Sequence, residues 1–298
     1  MTTTEFNNSA MEHLGSGVCL FKNAITLDWE WTYRTVEKLV GEDVADMYTP
    51  TVHPETGKPA LINKSGYIFS DDTFMAMPGR CSSAHQRKDP QIKEFLNVLE
   101  KSKDTYLLQY LAKFPLAYKN IWWKVKGHIV RYEAQNSQYL GVHSDTSADY
   151  VYGFPEPSDQ LATRNTVSCI VYFNDCTDDI DVVTNNSFSG GHHVFDGLEI
   201  TYLPKKGDIL MFPSNFIASH QVTAVTRGSR YSYLGWYSHG SPNTQYKEAI
   251  VDPIKEPDLA QVATNVYMPT LREDFREYLE INNYDRSSLA YLLVRAGF

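Results

Sequence analysis

From residue 121 onward the apolar pattern of this chain repeats every two residues, and that limits the fold more than any other feature. Residues 121–126, 128–132, 139–143, 167–173, 198–203, 208–212 and 230–237 each read as a short strand rich in Val, Ile, Tyr, Phe and Trp. Seven such runs, punctuated by Gly, Pro and Asn, predict a sandwich or small barrel rather than a parallel sheet with crossover helices. No Gly-rich phosphate loop of either usual type is present.

The flanks read differently. A short strand is expected at 17–21 and a helix at 27–39, with Gly41 as its stop. Residues 42–89 are rich in Pro, Gly, Asp and Ser, and predict irregular structure with short strands. Apolar stripes at 92, 95, 96, 99 and at 106, 107, 110, 111, 114 predict a helix that Pro115 ends. Residues 241–268 look like an extended connector. Thr270 and Glu273 have the spacing of a capping box, and a last helix at 288–296 has Gly297 to close it. The chain thus divides into a strand-and-helix support region at 1–120, a strand-built core at 121–240 and a helical extension at 241–298.

Thirty-six acidic residues against 27 basic ones give a formal charge of -9, which repels polyphosphate backbones, so nucleic acid is not expected as a partner. No apolar run is long enough to cross a membrane. Cys19, Cys81, Cys169 and Cys176 form no CxxC pair, and the polar start lacks the basic-then-apolar order of a secretory signal. A reducing cytoplasm is the expected location. Asp175, Asp178, Asp179 and Asp181 lack the ligand spacing of an EF-hand and read as a solvated loop.

The chemistry concentrates at His143-Ser144-Asp145. In an extended strand, side chains two apart face the same way, so His143 and Asp145 reach one point. One imidazole and one carboxylate are two thirds of the 2-His-1-carboxylate set that leaves open positions on non-haem iron. His220, 75 residues beyond Asp145, is the candidate for the third ligand. Arg230 follows in a strand, a guanidinium fork suited to a carboxylate. Taken singly, each piece has a bland reading, such as a histidine capped by a nearby aspartate; the order of the parts raises the odds.

With Gly190-Gly191-His192-His193-Val194-Phe195, Pro204 to Ser214, His220-Gln221-Val222 and Gly228-Ser229-Arg230-Tyr231, the chain resembles the Fe(II)/2-oxoglutarate-dependent oxygenases, in the prolyl-4-hydroxylase-like branch. The resemblance covers roughly residues 121–237. It implies a mainly β fold with flanking helices, a double-stranded β-helix (jelly-roll, cupin-like) core, and one oxygenase domain over 1–298. It also implies iron on His143, Asp145 and His220, and 2-oxoglutarate held by Arg230 and Tyr132. O2 would be the oxidant, and ascorbate would help to keep the iron reduced. The implied reaction hydroxylates an unactivated C–H bond of a small-molecule, amino-acid or peptidyl substrate, releasing succinate and CO2. Asp145 disfavours halogenation, because related halogenases vacate that position.

Relatives commonly carry an acidic residue after the double glycine, where this chain has His192 and His193; in an extended strand at most one of these points inward. His192, Arg164, Tyr139 and Trp236 are the candidates for substrate contact. Tyr150, Tyr152, Phe154 and Tyr237 are further aromatics for a pocket wall. Arg131 should face away from Tyr132, and Arg227 should be solvated in a turn. Two other classes stay open: a non-catalytic cupin-like binding or structural protein, and a cupin-type metalloenzyme that uses no oxoacid. Arg230 argues against the second.

Overall fold

The structure is a computed structural model that describes residues 10–63, 68–70, 79–81, 84–146, 164–177, 179, 186–240 and 250–297. Asp178, Asp181, Tyr150, Tyr152, Phe154 and most of the polar loop after Asp145 lie outside the described residues.

The first strands are β1 (Met11–Gly15) and β2 (Val18–Phe21), followed by helix α1 (Trp29–Met47). The helix runs through Gly41 instead of stopping there. A Cβ at Gly41 would meet nothing within 4 Å, so the glycine costs only its weak helix propensity, about 1 kcal/mol. Strands β3 (Tyr48–Val52), β4 (Pro59–Asn63) and β5 (Ile68–Ser70) form a small separate sheet, and β6 (Gly79–Cys81) joins the main one. Helix α2 (Pro90–Lys113) begins at Asp89, whose carboxylate accepts from the Gln91 and Ile92 amides, and ends before Pro115 as its sequence predicts. A single turn, α3 (Pro115–Tyr118), follows.

The core strands are β7 (Ile121–Glu133), β8 (Leu140–His143), β9 (Asn165–Tyr172), β10 (Asp175–Cys176), β11 (Ser187–Gly190), β12 (His193–Phe195), β13 (Ile200–Tyr202), β14 (Ile209–Pro213), β15 (His220–Val222) and β16 (Val225–His239). The runs 121–126 and 128–132 are one strand, because Gly127 continues the ladder beneath the Tyr233 ring. The connector expected at 241–268 is partly ordered: α4 (Pro257–Val262) and β17 (Asn265–Tyr267) lie within it, and β17 pairs with β7. Helices α5 (Leu271–Ile281) and α6 (Leu289–Arg295) close the described chain. The capping box does not form. Thr270 has helical φ/ψ, and its hydroxyl donates to Asp274 at 2.8 Å instead. Ser288 does cap α6, and Gly297 takes φ +77.

The chain passes back and forth between two sheets. Strands β7, β9, β14 and β16 belong to a ten-stranded sheet; β8, β12, β13 and β15 form a four-stranded one, in the order β13-β12-β15-β8. Pairing within each of these groups is antiparallel. This is the double-stranded β-helix. Along β16 the side chains alternate as the pleat requires. Tyr231, Tyr233 and Tyr237 join the apolar layer beneath α1, α2 and α5, whereas Arg230 and Ser232 are buried on the face between the sheets. That inner face also holds two apolar groups, one around Tyr172, Phe195 and Phe212, the other around Val130, Tyr132 and Val222.

The outer layer contains charge as well. Lys103 is fully buried, 2.9 Å from Glu100, which also accepts from Tyr233 at 2.8 Å and the Gly127 amide at 3.0 Å. Burial opposes ionisation of Glu100, yet Lys103, Lys124 and His85 hold its carboxyl well below the usual range. This network ties α2 to the back of the large sheet.

Candidate metal centre and cosubstrate site

His143 and His220 are brought together by strand pairing: they are register partners on β8 and β15, with ring centroids 4.4 Å apart. Asp145 lies beyond the end of β8, in a bend, so the simple alternation argument does not place it. Its position comes instead from β9. Ser168 donates to Asp145 Oδ2 at 2.5 Å, and the Asn165 side-chain amide donates to the Asp145 carbonyl at 3.1 Å. Asp145 Oδ1 then faces the histidines, 3.4 Å from His143 Nε2 and 3.9 Å from His220 Nε2. One ligand atom from each residue falls within a set no more than 4.8 Å apart.

The ring orientations suit a metal. His143 Nδ1 lies 2.8 Å from the Gly141 carbonyl and His220 Nδ1 3.0 Å from the Ala218 carbonyl. A carbonyl only accepts, so each Nδ1 carries the proton and each Nε2 presents a lone pair. Burial opposes ionisation of Asp145, but the two neighbouring imidazoles and the Ser168 hydrogen bond hold its carboxyl down at about 2. Burial also lowers the His220 imidazole. Two neutral imidazoles and one carboxylate, the last with an oxygen turned toward them, form a donor set that fits ferrous iron.

Further along the same barrel, Arg230 is 1% exposed. It pairs in register with Tyr132, and its guanidinium carbon lies 4.9 Å from the Tyr132 ring and 5.3 Å from the Tyr172 ring. Its Nη1 is 3.4 Å from Ser232 Oγ, and its Nε has no hydrogen-bond partner. Among the described residues, no carboxylate is within salt-bridge distance of it. A buried cation without an anion is costly, so the site is shaped for an anionic ligand. The distal carboxylate of 2-oxoglutarate fits that requirement.

The remaining candidates are distributed more widely. Trp236 faces inward next to Ser168 on the adjoining strand and packs on His128, with ring centroids 5.4 Å apart. Arg164 directly precedes Asn165, at the metal end of the barrel, and is half-buried. Tyr139 is 51% exposed ahead of β8. Tyr237 is no part of a pocket wall: it turns to the helical layer and donates to Asp104 at 3.0 Å. Arg131 is paired with Glu37 and Glu133, on the face opposite Tyr132, and Arg227 is exposed.

Of the two adjacent histidines, His193 is the one inside, 1% exposed and stacked on His220, while His192 is half-buried. Gly190 and Gly191 take φ +70 and +61 just before this strand. A Cβ at Gly190 would come within 2.2 Å of the Ala224 carbonyl, so only glycine fits there. Ser168 and Tyr172 were visible in the sequence only as strand residues. Their places two and six positions after Thr166 on one inward face are the signal that marks them.

Residues 127–238 match the family described as the 2OG-Fe(II) oxygenase superfamily. A PKHD-type hydroxylase of Idiomarina loihiensis is 28% identical over 120 residues, which is 40% of this chain and 45% of that protein. The chain therefore spans less than half the length of that relative. Similar solved structures include the viral collagen prolyl hydroxylase of Paramecium Bursaria Chlorella virus-1, with 16% identity, 56% and 82% coverage of the two chains and a TM-score of 0.40. Another is a Trichoplax adhaerens prolyl hydroxylase in complex with a hypoxia inducible factor peptide fragment, with 14% identity, 75% and 84% coverage and a TM-score of 0.44. Over residues 127–238, which contain the His-Asp-His group, the chain is similar to the 2OG-Fe(II) oxygenase superfamily, a family that uses Fe(II), 2-oxoglutarate and O2.

Proposed function

We propose that this protein is a dioxygenase that hydroxylates an unactivated C–H bond of a small-molecule, amino-acid or peptidyl substrate, with release of succinate and CO2. The observation that carries this reading is a pairing: three ligand atoms meet within 4.8 Å in a barrel that also buries a guanidinium with no carboxylate of the described residues beside it.

In this reading His143, Asp145 and His220 hold the iron, and Arg230 and Tyr132 hold the far end of 2-oxoglutarate. Bound together, iron and cosubstrate supply the oxidising chemistry that O2 needs to attack a C–H bond. The chain's own part is positioning. The two Nδ1–H bonds to backbone carbonyls fix the imidazoles, and Ser168 fixes the carboxylate. Arg230 aims the cosubstrate from a strand that cannot shift without breaking two ladders. Trp236 and Leu234 wall the inner face and keep water from the reacting centre. Trp236, the register partner of Ser168, offers a broad apolar surface to a substrate, and Arg164 would meet an anionic one.

The test is an anaerobic titration of metal-free protein with Fe(II) and 2-oxoglutarate, following the visible metal-to-oxoacid charge-transfer band. The parent should develop the band, His143→Ala should lack it, and Arg230→Ala should need far more 2-oxoglutarate to reach it. A folded parent protein with no band would overturn the proposal.

A further inference from the structure

The second histidine after the double glycine sits where an ordinary apolar side chain would fill the barrel, and its surroundings are those of a ligand contact. His193 stacks on His220 with centroids 4.7 Å apart and 17° between planes, and Phe195 and Phe212 pack around it at 4.8 and 5.4 Å. It is not among the three residues whose ligand atoms converge, so it stands next to the metal group without belonging to it. Its Nδ1 lies 3.2 Å from the Tyr172 hydroxyl, and its buried Nε2 has no partner.

The hydrogen-bond chain leading to His193 determines which nitrogen is the donor. A guanidinium only donates, and the Arg230 guanidinium carbon lies 5.3 Å from the centroid of the Tyr172 ring. Beside this cation the phenol is the better donor, so its proton goes to His193 Nδ1, 3.2 Å away. The imidazole proton is left on Nε2. Were the ring cationic, Nε2 would still carry a proton, so the donor exists in either ionisation state. A buried donor with no acceptor is destabilising unless a ligand provides one. Arg230, buried in the same barrel, also has no carboxylate within salt-bridge distance among the described residues.

We propose that His193 is a second anchor for 2-oxoglutarate, donating from Nε2–H to the distal carboxylate that Arg230 pairs with. The proposal rests on the oxygenase reading above and adds to it a contact made by this chain's own sequence. A carboxylate has about four lone-pair positions, and a guanidinium fork engages two of them. The imidazole takes a third. Tyr172 lies between the two anchors, its ring 5.3 Å from the Arg230 guanidinium carbon and its hydroxyl 3.2 Å from His193 Nδ1.

The experiment uses Fe(II)-loaded full-length protein without O2 and two probes: 2-oxoglutarate, and 2-oxobutyrate, which has the keto-acid end but no distal carboxylate. His193→Leu keeps bulk and removes the donor. His193→Gln puts an amide nitrogen near the Nε2 position, whereas His193→Asn reaches only toward Tyr172. The charge-transfer band should require at least about ten-fold more 2-oxoglutarate in the Leu and Asn variants, with Gln close to the parent. Saturation by 2-oxobutyrate, and binding of Fe(II) alone, should be unchanged in all three. Equal weakening for both oxoacids would place His193 behind His220 as packing and overturn the proposal, as would unchanged 2-oxoglutarate binding in the Leu variant. Should Leu fail to fold, equal affinities of the Gln and Asn variants would overturn it. No band in the parent with either oxoacid would sink the oxygenase reading itself, a different result from a parent that binds and variants that do not differ.

Discussion

Ser168 and Asp145 are joined by a 2.5 Å hydrogen bond that runs from the large sheet to the residue beyond the end of β8. Ser214 stands behind Ser168, with the two hydroxyls 2.8 Å apart. The carboxylate that turns Oδ1 toward two histidines is therefore positioned by groups that touch no metal. Ser168→Ala should weaken Fe(II) or Mn(II) binding about ten-fold, the range seen when a supporting hydrogen bond to a metal ligand is lost. Competition titration against a metal-sensitive dye measures this, and an unchanged affinity would show that Asp145 is held by its backbone alone.

Gly191 tests how tightly the Arg230 stem is held. Its φ is +61, and an added Cβ would sit 3.0 Å from Arg230 Cδ, Phe188 Cε2 and Val225 Cγ2. Gly191→Ala should cost about 1–3 kcal/mol in urea unfolding through the strained backbone and should weaken 2-oxoglutarate binding by displacing the guanidinium. Gly141, with nothing within 4 Å of its Cβ position, is the control: Gly141→Ala should leave cosubstrate binding unchanged.

Lys103 presents a buried charge with a different consequence. Its ammonium lies over the Tyr233 and Tyr237 rings at 5.4 and 5.7 Å, and its ion pair with Glu100 is closed to water. Lys103→Met leaves a buried carboxylate less compensated, and should destabilise the protein by about 3–5 kcal/mol. The double change Lys103→Met with Glu100→Gln should recover much of that loss. Denaturation of the single and double variants gives the answer, while metal binding on the far side of the sheet should not move.

The same cluster contains a pH response. Burial pushes the His85 imidazole down to about 4, with the Glu100 charge resisting and Lys126 and Lys103 assisting. In the unfolded chain it titrates near 6.5. Between these values the unfolded state binds the extra proton, so stability falls as the pH drops from about 6.5 to about 4, by up to about 3 kcal/mol from this group. His85→Gln should flatten that part of a stability-against-pH curve measured by urea unfolding. An unaltered slope would mean that His85 takes up its proton in the fold.

The sequence was most legible where pairing alone sets position. His143 and His220 needed only that the predicted strand of His143 lie beside the segment of His220, and Arg230 only that its side chain face inward. Asp145 was chosen for the right neighbours by an argument that does not hold in detail, since it sits in a bend and is placed by Ser168 rather than by the pleat. For His192 and His193 the alternation rule limited the inward residues to one, but choosing between them required the phase of β12, which Gly190 and Gly191 reset. Glu100 and Lys103 lie outside the apolar stripes of their helix, and a periodic pattern cannot reveal that the opposing sheet brings its own polar groups to them. Thr270 and Gly41 failed in the same way. Capping and stopping depend on local φ/ψ, which composition biases without fixing.

Strand β8 is the last member of the four-stranded sheet, paired on one side with β15. It carries His143, whose side chain is 31% exposed, against 4% for His220. Iron gripped by both histidines and by Asp145 would thus act as a buckle, fastening an outermost strand of the described sheet to its neighbour at a single point. Loading and loss of the metal then become events of strand peeling. The amides of Leu140 to His143 should register them in hydrogen exchange before any other part of the barrel does.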